Sequence, residues 1–348
     1  MSGQPFVSVV IPMRNEAATI GLCLDCVLAQ DYPAARFEIL VVDGESDDDS
    51  VAVLKGYAER DARVRLLRNP RRIVPTAMNI GIRAAHGEVI ARVDGHTRIA
   101  RDYLRIGVET LRRTGADNVG GPMHAVGGGV FGDAVAAAMS SRFGIGAYFH
   151  FGTVEREVDT VYLGMWPRGV FERVGLFDEE LVRNQDDEFN YRLRKAGGRI
   201  VLNPAMRSHY QNRQSVRRLA RQFYEYGEWK VRILQKHPRQ MSWRHFVPPM
   251  FVAALVLAPA AALVVPPIGP LGAAMAGGYV ATVLAVAASS AGRQGWRTWL
   301  ATTGAFAIIH WTWGMGFLAG LLRHANRWRQ PDPPPARLEA ESRLGLSD

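Results

Sequence analysis

Short unbroken apolar runs alternate with amphipathic stretches over the first 245 residues, whereas long stretches beyond Phe246 carry almost no charge. The run Val7-Ser8-Val9-Val10-Ile11 is β-branched and uninterrupted, as expected of a strand buried on both faces of a parallel sheet. Helical periodicity follows from Glu16 to Gln30. A second strand, Phe37 to Val42, ends at Asp43-Gly44-Glu45-Ser46-Asp47-Asp48-Asp49, and a helix is predicted from Ser50 to Glu59. Further strands are expected at Val64 to Leu67, Val89 to Val93 and Asn118 to Gly120, with a helix between Thr76 and Ala85. This βαβαβ order predicts an α/β, doubly wound, Rossmann-like domain over residues 1–235. Residues 125–160, rich in Gly and Ala, read as a loop and helix over a site or as a plain connection, and helical patterning returns from Arg168 to Gly198.

The uncharged stretches after Phe246 predict a membrane part over 246–322. Leu271 to Ala291 and Thr298 to Leu322 are long enough to span, whereas the 16 residues between Pro249 and Pro266 give a helix of about 24 Å, marginal for a hydrocarbon core of about 30 Å. Two or three helices are expected. The basic stretches Arg293 to Arg297 and Arg323 to Arg329 flank one of them, so the positive-inside rule leaves the topology open. The Pro-rich and then polar tail, 331–348, is expected to be disordered.

Charge sharpens this division. Residues 192–244 hold 14 Arg and Lys against Glu225 and Glu228, while the rest of a chain of formal charge +9 is slightly acidic. A basic block directly before an apolar one fits a juxtamembrane segment drawn to anionic lipid, although nucleic acid would attract it equally. The two cysteines, Cys23 and Cys26, lie in an apolar helical pattern and are expected to pack rather than to ligate or pair. The first apolar run is too short and lacks the basic lead of a signal peptide.

In an open α/β sheet, ligands bind beyond the carboxyl ends of the strands, and the residues there are polar. Asp94 ends a strand and His96 follows two residues on, so both side chains project to one side and could hold a divalent cation; a plain Asp-Gly turn is the alternative. Gln185-Asp186-Asp187-Glu188 opens an amphipathic helix. The acids there fit either a first-turn charge bias or a general base aimed into a cleft.

Taken together, Val7 to Glu16, Phe37 to Asp48, Asp94-Gly95-His96 and Gln185-Asp186 resemble, in order, the opening strand, acidic nucleotide turn, DxD metal motif and catalytic Glu-Asp pair of the inverting glycosyltransferase family 2. The likeness covers roughly residues 5–235 and is closest to membrane enzymes that build bacterial polysaccharides such as succinoglycan. It implies a GT-A fold, with Pro12, Asn15, Glu16 and Asp43 lining the nucleoside; Arg71 and Arg72 could meet the diphosphate, with plain solvated loop charges as the alternative. Asp94 and His96 would hold Mn²⁺ or Mg²⁺, and Asp186 would act as base. The implied partners are a nucleotide-diphosphate sugar, a polyprenyl-linked acceptor and the lipid bilayer, with no nucleic acid. The implied location is the bacterial inner membrane, catalytic domain toward the cytoplasm. Three positions depart from the family pattern: His96 stands for Asp, Gln185 for Glu, and Gly44 for the second acid of the nucleotide turn. Gln222 to Trp229 resembles the family's Gln/Arg/Trp segment without its Arg, and His209 falls where some relatives place another metal ligand. A synthase charging polyprenyl phosphate itself and a non-catalytic donor-binding scaffold are the rival readings.

Overall fold

In the computed structural model, strand β1 (Val7–Met13) lies between β2 (Phe37–Asp43) and a later strand, and every residue of β1 and β2 is buried. That explains their largely apolar character, since helices cover both faces, and the buried Glu38 of β2 accepts the Ser8 hydroxyl of β1 at 2.7 Å. The structure describes residues 3–145, 148–211, 215–328 and 336–338. After β1 comes α1 (Ile20–Leu28), and after β2 come α2 (Ser50–Arg60), β3 (Val64–Arg68), α3 (Val74–Ala84) and β4 (Val89–Arg92). β1, β2, β3 and β4 are all parallel, with Val7 level with both Phe37 and Val89.

The next elements are β5 (Thr97–Ile99), α4 (Tyr103–Thr114), β6 (Asn118–Gly121), β7 (Met123–Val126), α5 (Gly129–Met139), β8 (Arg156–Glu157) and β9 (Tyr162–Pro167). Then follow α6 (Gly169–Val174), α7 (Gln185–Lys195), β10 (Ile200–Leu202), β11 (Ser208–Gln211) and α8 (Val216–Lys236). The main sheet runs β3-β2-β1-β4-β9-β6-β10-β8, and β5-β11-β7 form a second, three-stranded sheet. The main sheet is mixed, because β9 enters antiparallel between β4 and β6 with Met165 opposite both Ala91 and Val119. Two glycines of β6 make room for their neighbours: a Cβ on Gly120 would meet the Tyr162 carbonyl of β9, and one on Gly121 would strike the Met206 carbonyl in the segment before β11.

Strand side chains alternate between two cores. Val9, Ile11, Ile39 and Val41 face one side with Leu24, Leu54 and Leu104; Val10, Leu40 and Val42 face the other with Met78, Phe177 and Phe189. The stretch expected to be helical from Arg168 to Gly198 is two helices. Gly175 ends the first with φ at 87°, where only glycine is at ease.

The chain forms two compact units. One comprises 1–124, 147–210 and 333–348, the other 125–146 and 211–332. This division differs from the boundary expected at 235, because α8 buries its apolar face against helices of the second unit. Those helices are α9 (Val247–Ala262), α10 (Ile268–Ala291) and α11 (Trp296–Arg323). Three helical stretches, Trp243–Ala262, Ile268–Gln294 and Trp296–Arg323, are long and apolar enough to cross a membrane. Most of the tail expected to be disordered lies outside the described residues. Its residues Ala336 to Leu338 are described: the Ala336 carbonyl accepts the Leu176 amide at 2.8 Å, and Leu338 is buried with Phe171 and Phe177.

Candidate functional site

Parallel β1, β2 and β4 deliver their carboxyl ends side by side, so the segments trailing them meet. The loop after β1 and the acidic turn after β2 are laced together. The Asn15 amide donates to Ser46 Oγ at 2.9 Å, Asn15 Oδ1 accepts the Asp47 amide at 3.0 Å, and the Glu16 amide donates to Ser50 Oγ at 2.8 Å. Asp43 is buried and folds the turn onto itself, accepting the Ser46 hydroxyl at 2.6 Å. Pro12 is buried within β1 opposite Val42. Asn15, Glu45, Arg72 and Asn184 all take positive φ, between 54° and 61°, and Leu163 is the other described non-glycine residue to do so. Such strained backbone gathers at the edges of binding sites.

His96 is tied to this corner. Its Nδ1 lies 2.9 Å from Glu16 Oε1, whose other oxygen accepts the Thr19 hydroxyl at 2.8 Å, and its ring meets Tyr210 edge-on at 5.3 Å. A carboxylate only accepts, so in the neutral imidazole the proton sits on Nδ1 and Nε2 carries the lone pair. This is the usual outer support of a metal-ligating histidine.

Asp94 is gripped by Arg92, which donates from Nε at 2.7 Å and from Nη2 at 3.3 Å. The two residues sit two apart at a strand end and therefore face the same way. Arg92 is buried. Burial alone would weaken its proton affinity, but Asp94 first and Asp186 second reverse that, and its pKa is raised. The guanidinium thus stands in the field of both carboxylates, and this joins the end of β4 to the start of α7.

Asp186 sits in the first turn of α7, after Asn184 turns the chain through a left-handed conformation. Its carboxyl is open to solvent yet walled by protein, and accepts the Asp187 amide at 2.9 Å. Desolvation by those walls raises its pKa, Arg92 pulls it down, Asp187 pushes it up, and the net direction is upward. Its helix is firmly seated. Phe189 stacks on Phe177 at 4.6 Å, Asn190 donates to Thr160 Oγ1 at 2.8 Å and accepts from Asn118 at 2.9 Å, and buried Glu188 bridges Arg192 at 2.5 Å. Glu188 therefore serves the helix, while Asp186 faces solvent from the same turn.

Arg72 and Arg71 are held by other groups: Arg72 pairs with Glu45 at 2.5 Å and Arg71 with Glu179 at 2.6 Å, both arginines exposed. Burial lowers the pKa of His209, which faces His124 with ring centroids 5.9 Å apart. Gln222 to Trp229 lies on α8, in the second unit. Cys23 and Cys26 are free thiols, and Cys23 packs under the site with Sγ 3.5 Å from the Asp94 carbonyl. Sequence reading missed Arg92. Its signal was there, a charged residue inside the apolar run of β4, two positions before the acid.

Among the described residues no three His, Cys, Asp or Glu side chains form a metal-ligand cluster. Asp94 and His96 still fit a cation held by few protein groups. A carboxylate keeps acceptor capacity beyond the two Arg92 bonds, and His96 is braced through Nδ1 so that Nε2 can ligate.

Residues 8–166 match the family described as Glycosyl transferase family 2. The chain is 30% identical over 326 residues to the succinoglycan biosynthesis protein ExoA of Rhizobium meliloti, spanning 92% of this chain and 96% of that one. It is 29% identical to the dolichyl N-acetyl-alpha-D-glucosaminyl phosphate 3-beta-D-2,3-diacetamido-2,3-dideoxy-beta-D-glucuronosyltransferase of Methanococcus voltae, over 68% of this chain and 77% of that protein. Among solved structures, the mannosyltransferase PcManGT of Pyrobaculum calidifontis, in complex with GDP-Man and Mn²⁺, superposes with a TM-score of 0.58 at 21% identity, covering 91% of this chain and 88% of that one.

Proposed function

The chain belongs to glycosyl transferase family 2, and from that premise we propose an inverting transfer of a sugar from a nucleotide-diphosphate donor to a lipid-linked saccharide, in bacterial polysaccharide synthesis at the cytoplasmic face of the inner membrane. One observation carries the reading: buried Arg92 grips Asp94 and feels Asp186, so an acid suited to the diphosphate side and an acid suited to base catalysis share one locus. The family's chemistry needs both.

In this reading Asp186 accepts the proton of the acceptor hydroxyl as its oxygen bonds to the anomeric carbon and the bond to the diphosphate breaks. Solvent exposure lets the acceptor reach it, and the raised pKa makes it a stronger base than a free carboxylate. Asn15, Glu16 and Asp43 form the laced corner that receives the nucleoside, with Pro12 as its floor. Arg92 orients Asp94 and lowers the cost of placing two carboxylates together. Mn²⁺ or Mg²⁺, held by Asp94 and His96 Nε2, would supply charge neutralisation for the departing diphosphate. The archaeal mannosyltransferase of the same fold was solved with a nucleotide-diphosphate sugar and Mn²⁺, the ligand classes proposed for this chain. A lipid-linked acceptor is supported by the dolichyl phosphate in the name of the Methanococcus relative and by three apolar helices.

The test is a screen of nucleotide sugars for nucleoside-diphosphate release by membranes containing the full chain, with lipid extract and Mn²⁺ or Mg²⁺. Release is expected to depend on the cation. Asp186→Asn should lower it by about 100-fold or more, the usual contribution of a general base. Asp94→Ala should lower release and weaken its response to the cation. Near-normal turnover in Asp186→Asn would point instead to a phosphate acceptor, which needs no base.

A further inference from the structure

Which of the apolar helices enters the bilayer, and how far, follows from four features of the second unit and the tail. The first concerns sides. From Tyr210, in the first unit, to the start of α8 the chain can reach only about 20 Å, so α8 begins on the catalytic side of any membrane. From Trp328 to Ala336 it can reach at most about 28 Å, less than a hydrocarbon core of about 30 Å, and an extended chain there would leave its backbone groups unsatisfied. Ala336 and Leu338 sit on the catalytic unit, so Trp328 is on that side too. The chain between must cross an even number of times. Three spans are excluded.

The second feature removes α11. α8 carries Arg217, Arg218, Arg221, Glu225, Glu228, Lys230, Arg232 and Lys236, and it runs parallel to the second half of α11. The Tyr224 carbonyl abuts Gly316, Glu228 pairs with Arg323 at 2.8 Å, and Gln235 donates to the His324 carbonyl at 2.8 Å. The order of these contacts fixes the direction. A charged helix fastened along residues 316–324 keeps that half out of hydrocarbon, and 296–312 alone gives about 25 Å. In keeping with this, 39% of the α11 span is buried within the protein, against 11% and 17% for the other two.

The third feature concerns depth. Tyr279, midway along α10, meets α9 at Phe251 with ring centroids 4.7 Å apart and α11 at His310 with a 3.1 Å hydrogen bond. Beyond that level α9 and α10 run on together, Gly272 beside Ala258 and Gly269 beside Ala262. Eleven residues on each arm give a reach of about 17 Å, half a bilayer.

The fourth concerns the turn itself. Leu263 and Val264 are 87% and 83% exposed, and residues 246–292 contain no Asp, Glu, Lys or Arg. Leu263, Val264, Val265, Ile268 and Gly269 all donate their amides within the turn, while Pro266 and Pro267 have none to donate. A turn with every N–H satisfied and apolar side chains outward is suited to hydrocarbon, where lipid offers no hydrogen bonds.

We propose that α9 and α10 form a re-entrant hairpin that dips its 263–267 turn into the hydrocarbon from the catalytic side and returns, with no helix crossing the bilayer. This rests on the reading that the apolar helices meet lipid, but not on the reaction. It also places Arg239, Arg244, Arg293, Arg297, Arg323 and Arg327 on one side, which removes the conflict in charge placement between the last two basic stretches.

The test uses the full chain in sealed vesicles of both orientations, with Cys26→Ser as background and buried Cys23 retained. Single cysteines at Glu59→Cys, Leu263→Cys, Gln294→Cys and Arg337→Cys are probed with an impermeant maleimide. Glu59→Cys marks the catalytic face. Gln294→Cys and Arg337→Cys should label from that same face, and Leu263→Cys from neither until detergent is added. Labelling of Gln294→Cys from the opposite face, or of Leu263→Cys from either face of intact vesicles, would overturn the proposal. Loss of sugar transfer with this pattern intact would count against the proposed reaction alone.

Discussion

At the scale of single residues the decisive contact is Arg92 with Asp94, since it places an always-charged group where two acids need it. Asp186 is the residue whose environment is easiest to test. Its pKa is raised, chiefly by desolvation, so it binds its proton more tightly in the folded than in the unfolded chain. Between the unfolded and folded pKa values the native state holds more protons, and stability therefore falls as pH rises through that window. Asp186→Asn, which cannot ionise, should melt above the parent protein at neutral pH. The gap should close as pH falls below the ordinary aspartate range, as measured by thermal unfolding across pH. If Asp186 is the base proposed above, turnover should show the opposite sign, declining on acidification through the raised pKa as that carboxylate becomes protonated.

At the scale of elements, the antiparallel insertion of β9 between β4 and β6 shapes the floor beneath the site. Glycines of β6 make room for it and for the segment leading into β11. A Cβ at Gly121 would overlap the Met206 carbonyl, a backbone atom that cannot rotate away. Gly121→Ala should therefore cost about 1–3 kcal/mol, the usual effect of overpacking, read as a lower midpoint in denaturant. The α7 helix is a second positioning element. The aromatic cluster of Trp166, Phe171, Phe177 and Phe189 seats it, and Asp186 inherits that rigidity.

At the scale of the whole molecule, the chain leaves the catalytic unit, forms the helical unit and returns, so the two ends of its sequence share one core. Leu338 fills a place beside Phe171 and Phe177, far from it in sequence. Leu338→Ala should destabilise the catalytic unit by about 2 kcal/mol through loss of buried area and a residual cavity. Thermal melting in the presence of lipid or detergent would show the shift, and an unchanged midpoint would mean that the tail contributes nothing to the core.

The sequence by itself determined the catalytic domain's grammar. The apolar runs starting at Val7 and Phe37 and the polar clusters trailing them were legible, with Asp94 and Asp186 as candidates, because strand period, burial on two faces and turn chemistry are local properties. Three things were decided only in three dimensions. β10 and the small second sheet are short strands, and β9 pairs antiparallel with two distant partners, so no local pattern announces them. Arg92 gained its meaning from two acids that folding brings to it, one from its own strand end and one from a helix far along the chain. α11 is long and apolar enough to span, as its sequence suggested, and only the folded chain brings the charged α8 alongside its second half, because hydropathy counts composition without seeing neighbours.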